Sequence, residues 1–325
     1  MLKILVTGGA GYIGSHTVKV LGEKKFEVLT IDNLSHGHKE AVLYGDFIKL
    51  DISEEKELTK LIEAFRPDVV IHFAAYIDVK ESVTYPIKYY KNNTINTINM
   101  LEILVKHNVK NFIFSSTAAV YGVPTKVPIP ENHDLNPINS YGKSKLFVEE
   151  VLKDFQLSYG LNYVSLRYFN AAGAEPKHRI GESHKPETHL IPLVLKVAKK
   201  EKKFIKIYGS DYDTPDGTAV RDYIHVEDLA VAHVKAVEYL IEKKESGIFN
   251  CGYGKGYSVK EIIEVAKKVT GKEIPIQICD RREGDPPVLV ADNTKIRREL
   301  DWIPKYDDIE YIIKTAWEWE KNKRF

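Results

Sequence analysis

Six short apolar runs punctuate the first half of the chain: KILVTG, FEVLTID, FIKLD, DVVIHFAA, NFIFSST and NYVSLRYF. Each is apolar at consecutive rather than alternate positions, as in strands buried on both faces. Stretches of helical periodicity lie between them, so strand and helix alternate. The fold class is therefore α/β, a doubly wound parallel sheet of the Rossmann type with crossover helices on both faces. The longest helix begins near Tyr85 and Pro86, where proline suits a first turn, and runs to about His107. After RYFNAAG the texture changes. PKHRIGESHKPET is polar and turn-rich, HLIPLVLKVAKK reads as a helix, and long loops such as GSDYDTPDGTAVRDY follow. These shifts predict a first domain over 1–170 and a second, smaller α/β domain over 171–325. HVEDLAVAHVKAVEYL, near 220–245, is amphipathic and is expected to pack back on the first.

Length permits this organisation: 325 residues can bury roughly 75 % of their unfolded surface. Lys and Arg number 47 against 46 Asp and Glu. So balanced a chain has no overall field to draw it to nucleic acid or to an acidic membrane. No segment reaches the about 18 consecutive apolar residues of a spanning helix, and MLKILVTGGAGYIG lacks the basic start and apolar core of a signal peptide. Cys251 and Cys279 form no CxxC and read as free thiols. A cytoplasmic protein is expected.

VTGGAGYIGSH places Gly8, Gly11 and Gly14 directly after a strand and directly before a helix. Glycine lets the backbone turn tightly and lets a diphosphate approach, while the helix amino terminus offers unpaired N–H groups to anionic oxygens. The next strand ends at Asp32, 18 residues beyond Gly14, where a carboxylate accepts from an adenosine ribose. An acid there repels a 2′-phosphate, so the expected cofactor is NAD rather than NADP. Gly142, Lys143 and Ser144 do not complete a Walker loop, because the required earlier glycine is Pro137.

SYGKSK puts Tyr141 and Lys145 one helical turn apart on one face. A free phenol, with a pKa of about 10, is a poor base, but a neighbouring ammonium and a positive nicotinamide favour phenolate. Tyr141 then takes a proton from a substrate alcohol while hydride leaves the same carbon. FSST ends its strand at Ser115, Ser116 and Thr117, which supplies a hydroxyl to hold that alcohol at the carboxyl end of the sheet.

With these residues in view, the chain resembles the extended short-chain dehydrogenase/reductase family over essentially its whole length. The likeness runs through TGGAGYIGSH, DNLS, HFAA, ESV with PIKYYKNN, FSSTAAVYG, YGKSK, RYFNAAGA, GTAVRDYIHVEDLA, NCGYGKGYSV and RREGDP. The glycine loop and YxxxK mark only the superfamily. RYFN, VRDYIHV and RREGD are more specific, and point to its members that epimerise sugar nucleotides. The resemblance implies NAD-dependent interconversion of UDP-glucose and UDP-galactose: hydride leaves C4, the 4-keto sugar rotates, and the same hydride returns. It implies Thr117, Tyr141 and Lys145 as the catalytic set. For the cofactor it implies these three with Gly8, Gly11, Tyr12, Ile13, Gly14, Asp32, Asn33, Leu34, Ser35, His36, Gly37, Asp51, Ile52, Phe73, Ala74, Ala75, Asn92, Tyr168 and Phe169. For the substrate it implies Thr117 and Tyr141 with Asn170, His189, Arg221, Arg282 and Asp285, with Lys206, Ile207 and Tyr208 near the uracil and Leu289 beside the sugar's 2-substituent. Two guanidiniums suit a diphosphate, and Asp285 can accept from ribose hydroxyls. The 1–170 half is then the NAD-binding domain and 171–325 the UDP-sugar-binding domain. A homodimer is implied, through the helices near 85–107 and 140–159.

Related dehydratases carry Asp-Glu after the strand-end Thr, and related decarboxylases a Glu. Ala118 and Ala119 stand here, which disfavours elimination. Ile77 occupies a position where better-known relatives have a cofactor-contacting lysine, with Lys80 three residues on. His189 replaces a substrate-site asparagine. His36-Gly37-His38 has no neighbouring Cys or carboxylate to complete a metal site, and the implied mechanism needs no metal. An epimerase of N-acetylhexosamine or pentose nucleotides, a net NAD-linked dehydrogenase and a redox-silent NAD sensor remain as alternatives. Leu289 is intermediate in size between residues that exclude an N-acetyl group and those that admit one.

Overall fold

The computed structural model describes residues 1–282 and 285–325; Glu283 and Gly284 of RREGD lie outside the described residues. The first sheet is built from β1 (Lys3–Thr7), β2 (Glu27–Asp32), β3 (Asp46–Lys49), β4 (Val69–His72), β5 (Asn111–Thr117) and β6 (Asn162–Tyr168). All six expected strands form. The crossover helices are α1 (Tyr12–Glu23), α2 (Glu55–Phe65), α3 (Val79–Thr84), α4 (Pro86–Tyr89), α5 (Asn96–Lys106) and α6 (Ser140–Tyr159). Beyond β6 come β7 (Asn170–Ala172), α7 (Leu190–Ala198), β8 (Ile205–Tyr208), β9 (Val220–His225), α8 (Val226–Lys243), β10 (Gly247–Cys251), β11 (Gly256–Ser258), α9 (Val259–Thr270), β12 (Ile276–Cys279), β13 (Val288–Leu289), α10 (Thr294–Leu300) and α11 (Ile309–Lys321).

The first sheet has seven strands in the order β10-β6-β5-β4-β1-β2-β3, all parallel. The order reverses between β1 and β4, which opens a crevice at the carboxyl ends of the strands. Period-two alternation sends Ile4 and Val6 to one face, against α1 and α8, and Leu5 to the other, against α2, α5 and α6. Each fully buried Leu, Ile or Phe in these layers stabilises by roughly 1.5–3 kcal/mol. The chain leaves this sheet after β6 and returns with α8 and β10, so its seventh strand comes from residues 247–251.

The second unit joins β7, β9, β11 and β13 in one small sheet, pairs β12 with β8, and packs α7, α9 and α11 over a separate core. The helix expected from 85 to 107 is instead α4 and α5 joined by a π-helical turn over Tyr90–Ile95. Polar groups explain that turn. Asn93 donates to the Tyr76 carbonyl and accepts from the Tyr76 N–H, both at 2.9 Å, so it is drawn inward from the helix. Among the described residues no helix is long and apolar enough to cross a membrane.

Candidate active site

The glycine loop shows which of its glycines the protein itself requires. Gly8 has φ +69°, and a Cβ there would lie 2.5 Å from the Ala74 nitrogen; a Cβ on Gly14 would lie 2.3 Å from the Gly8 carbonyl oxygen. A Cβ on Gly11 meets only the Gly8 oxygen, at 3.3 Å. Gly8 lets the loop pass against the backbone that follows β4 and Gly14 lets α1 sit down on the loop, whereas Gly11 leaves open space above the first turn of α1. The first-turn N–H groups there, including those of Tyr12 and Ile13, have no carbonyl within the helix to bind. Asp32 is buried at the end of β2, accepting from Leu34 N–H at 2.8 Å and Ala10 N–H at 3.1 Å. Burial raises its pKa against those two bonds. A backbone cradle for a diphosphate, with an acceptor placed for a ribose, fits a dinucleotide such as NAD.

Around this cradle, Asn33 donates to Asp51 at 2.6 Å and accepts the Ser35 N–H, while the His36 ring stands edge-on to Tyr76. A Cβ on Gly37 would meet the Ala10 backbone at 2.9 Å. Leu34 adopts φ +62°, and Ile52 is core. Asn92 donates to Asn93 within the π turn. Ala74 and Ala75 follow β4, and Phe73 lies 4.7 Å from the His233 ring. Tyr168 turns inward and shares a short hydrogen bond with His233, so its ring is part of the core; Phe169 packs beside Ala118. Ile77 and Lys80 are both exposed. Lys88, absent from the expected set, is the cation that faces this region, 4.2 Å from the centre of the Tyr76 ring and paired with Glu81.

Tyr141, Lys145 and Thr117 converge at the end of β5. Asn139 caps α6 by accepting the Gly142 N–H at 2.8 Å. Gly142 is needed because a Cβ would lie 2.7 Å from the Ala119 carbonyl, so α6 docks on the turn that follows Thr117. The Tyr141 phenol neighbours Thr117, whose hydroxyl favours its ionised form. Thr117 accepts from Ala119 N–H at 3.1 Å, leaving its own O–H free to donate. Lys145 is buried, donates to the Ser115 carbonyl at 2.7 Å and lies 4.9 Å from the centre of the Phe114 ring.

The charges differ from the sequence expectation. Burial lowers the Lys145 pKa to about 7, with Glu149 opposing, and burial raises that of Tyr141, with Thr117 opposing. Lys145 is directed at a carbonyl rather than at the phenol, so the chain alone favours a neutral phenol.

Behind this site runs a buried ion pair that sequence reading missed. Arg167 of RYFN donates to both Glu149 oxygens, at 3.1 and 2.6 Å, and to Tyr121 at 2.9 Å. Ser116 donates to Glu149 at 2.5 Å, and Tyr121 to Asn250 at 2.7 Å. Glu149 is one turn beyond Lys145 on α6, so the network clamps the helix bearing Tyr141 to the strand bearing Thr117.

In the second unit, β9 gathers residues distant in sequence. Arg221 pairs in register with Leu289, and Asn170 with Tyr223. Arg221 forms an ion pair with Asp285, 64 residues away, and the Arg282 guanidinium lies 3.9 Å from the centre of the Tyr208 ring. Asp222, the neighbour that would pair with Arg221 on a surface strand, is buried and accepts from the N–H groups of Tyr253, Gly254 and Ala291. Lys206 points to solvent, and the Ile207 side chain is core. Leu289 packs against the cluster that contains Ala118 and Phe169, which brings it close to the end of β5.

His189 precedes α7, with Nδ1 2.7 Å from Glu182 and 2.9 Å from Glu187. Burial lowers its proton affinity, but the two carboxylates more than offset this, and its pKa lies well above 6.5. The ring is 39 % exposed, so solvent screens part of that attraction.

The NAD dependent epimerase/dehydratase family matches residues 4–252. A UDP-glucose 4-epimerase of Halalkalibacterium halodurans is 50 % identical over 321 residues, covering 99 % of this chain and 96 % of that one. Among solved structures, a UDP-glucose 4-epimerase from Brucella ovis in complex with NAD has a TM-score of 0.95 and 46 % identity, covering 98 % of each chain. A UDP-Glc/GlcNAc 4-epimerase from Campylobacter jejuni has a TM-score of 0.87 and 45 % identity, covering 99 % of this chain and 100 % of that one.

Proposed function

Because the chain belongs to the NAD dependent epimerase/dehydratase family, we propose that the cleft at the ends of β1, β4 and β5 interconverts UDP-glucose and UDP-galactose, with Tyr141 as its proton-transfer group. The observation that carries this reading is the convergence of Tyr141, Thr117 and Lys145 beside a diphosphate cradle with Asp32 at its ribose end. The cradle of Gly8, Gly11 and Asp32 would hold NAD, which would supply a reversible hydride acceptor for C4. With its own proton released to solvent under the positive charge that a bound nicotinamide would bring, Tyr141 takes the C4 hydroxyl proton and gives it back, while Thr117 donates its free O–H to the same oxygen. Ala118 and Ala119 offer no group for elimination. Arg221 and Arg282 hold the diphosphate, and Asp285 accepts from the UDP ribose. His189, with Nδ1 committed to carboxylates, has only Nε2 to offer that diphosphate.

Leu289, packed beside Ala118 and Phe169, limits room at the sugar's 2-position, so plain hexoses are the main substrates. Purified protein given UDP-galactose without added cofactor should form UDP-glucose, contain bound NAD and release no NADH. Stoichiometric NADH release would indicate a dehydrogenase instead. UDP-GlcNAc assayed on the same sample should turn over more slowly; an equal or higher rate would reverse the substrate order.

The protein also acts as a homodimer. Val83, Ile87, Ile95 and Phe147 are 64, 68, 49 and 53 % exposed, and Tyr90 approaches Phe147 across the gap between the helices. An apolar surface shared by several helices calls for a partner. Sedimentation equilibrium should return about twice the 37.1 kDa chain mass; a single-chain mass at micromolar protein would rule the dimer out. Its two free thiols suit the reducing cytoplasm, which cell fractionation checks.

A further inference from the structure

The polar segment ESHKPETH, between β7 and α7, folds so that Glu182, His184, Glu187 and His189 turn toward one another. One ligand atom from each lies within 4.8 Å of all the others. Each carboxylate faces both imidazoles. Nδ1 of His189 is 2.7 Å from Glu182 and 2.9 Å from Glu187, and Nδ1 of His184 is 3.1 and 3.9 Å from the same two residues. A tetrahedral zinc site with bonds of about 2.0–2.1 Å has ligand-to-ligand edges of about 3.3 Å, which these separations bracket. The two shortest are hydrogen-bond lengths. Protons shared with His189 occupy those contacts, and an opening of a few tenths of an ångström would admit an ion.

Charge points the same way. The Glu182 and Glu187 side chains are only 6 and 2 % exposed, yet among the described residues no Lys or Arg lies within salt-bridge distance of either. Once His189 gives up its proton, as metal ligation requires, two buried carboxylates with two neutral imidazoles carry a charge of −2, which a divalent cation cancels. The surroundings hold the donors in place. Glu187 accepts the N–H groups of Thr188 and His189 at 2.8 and 2.9 Å, and the Glu182 carbonyl accepts from the Trp319 indole at 2.9 Å. Such outer contacts orient ligands before a metal arrives.

We infer that Glu182, His184, Glu187 and His189 form a structural site for a divalent transition metal, with two nitrogen and two oxygen ligands of the kind zinc accepts. The site pins the loop leading into α7 beside the glycine-loop helix, because His184 lies edge-on to Tyr12 at 6.3 Å and His38 contacts the Ser183 carbonyl at 3.2 Å. The ion is remote in role from C4 and takes no part in hydride or proton transfer.

The test is zinc binding by the NAD-loaded protein, stripped with a chelator and titrated with Zn2+ against a chromophoric competitor. One equivalent should bind tightly and raise the unfolding temperature. Losing an outer-contact residue typically costs metal affinity about 10–100-fold, so His184→Ala, which removes a ligand, should weaken zinc by more than about 100-fold. Glu187→Gln keeps the shape and should weaken it similarly, which separates ligand loss from misfolding; retained NAD and circular dichroism check the fold. Cobalt substituted for zinc should give the intense visible bands of tetrahedral coordination in the parent protein and in neither variant. Equal zinc affinity in parent and variants, or no specific binding to the parent, would show a cluster held by protons alone and overturn the inference.

Discussion

Tyr141→Phe should reduce kcat for UDP-galactose by about 10³-fold or more while leaving bound NAD at its parental level. General acid–base groups typically supply 10²–10⁴-fold, and about 10³ corresponds to roughly 4 kcal/mol of transition-state stabilisation. The loss falls toward the upper end because the adjacent hydroxyl, Thr117, is an alcohol far harder to ionise than a phenol and its oxygen is already engaged by the Ala119 N–H. Ala118 and Ala119 cannot take over the transfer. NAD retention follows from geometry: the cradle around Gly8, Gly11 and Asp32 does not depend on the phenol oxygen. Acid release and quantification of nicotinamide beside the turnover assay separates the two effects. A variant that keeps more than a tenth of parental turnover would remove Tyr141 from its assigned role. Because Lys145 titrates near 7 and Tyr141 is raised, the parental rate should also fall at low pH, where the phenol is hardest to ionise.

Mild acid should destabilise the fold steeply. Four buried histidines sit in the core: burial lowers His16 and His233 to about 4 and His72 and His225 to about 3. Burial is the first cause in each. It is opposed at His16 by the Tyr12 carbonyl and at His233 by that of Leu229, and reinforced by Lys145 at His72 and by His16 and Lys19 at His225. An unfolded histidine titrates near 6.5. Between 6.5 and 4 the unfolded chain therefore binds protons that the native chain refuses, so stability rises with pH in this window and is lost as pH falls through it. Each ring contributes up to roughly 3 kcal/mol by pH 4. Asp222 works the other way. Burial raises it to about 6 against three or more backbone N–H bonds, so acid relieves one buried charge, by about the same amount. Four rings outweigh one carboxyl. The urea midpoint should fall markedly between pH 7 and pH 5, and an unchanged midpoint would refute this account.

Much of the fold was legible because its strands are buried on both faces and read as uninterrupted apolar runs. β10 was not, since GIFNC follows a long helix directly and supplies only an edge of the sheet. The π turn at 90–95 escaped for a different reason: helical periodicity does not register one inserted residue, and what draws Asn93 inward is the backbone of Tyr76, 17 residues earlier. Tyr141 and Lys145 were legible as neighbours because one helix carries both. Their charge states were not, because these depend on burial, on Glu149 beside Lys145 and on Thr117 beside Tyr141. Arg221 met Asp285 rather than Asp222 because the pairing of β9 with β13 supplies a partner that sequence adjacency does not. Glu182, His184, Glu187 and His189 did leave a signal, alternating acids and imidazoles within eight residues, but polarity and turn propensity alone made that stretch look like an ordinary loop.

The late arrival of β10 has a consequence for biosynthesis. Six strands of the first sheet have been translated by residue 168, but its outer edge beside β6 and the helix covering one face appear only by residue 251. At about 5–20 residues per second, a ribosome needs roughly 4–17 s to add that stretch. For that interval the nascent chain presents an unpaired β6 edge and an apolar layer covered by α1 without α8. Its emergence from the ribosome is therefore the stage at which chaperone occupancy should be highest.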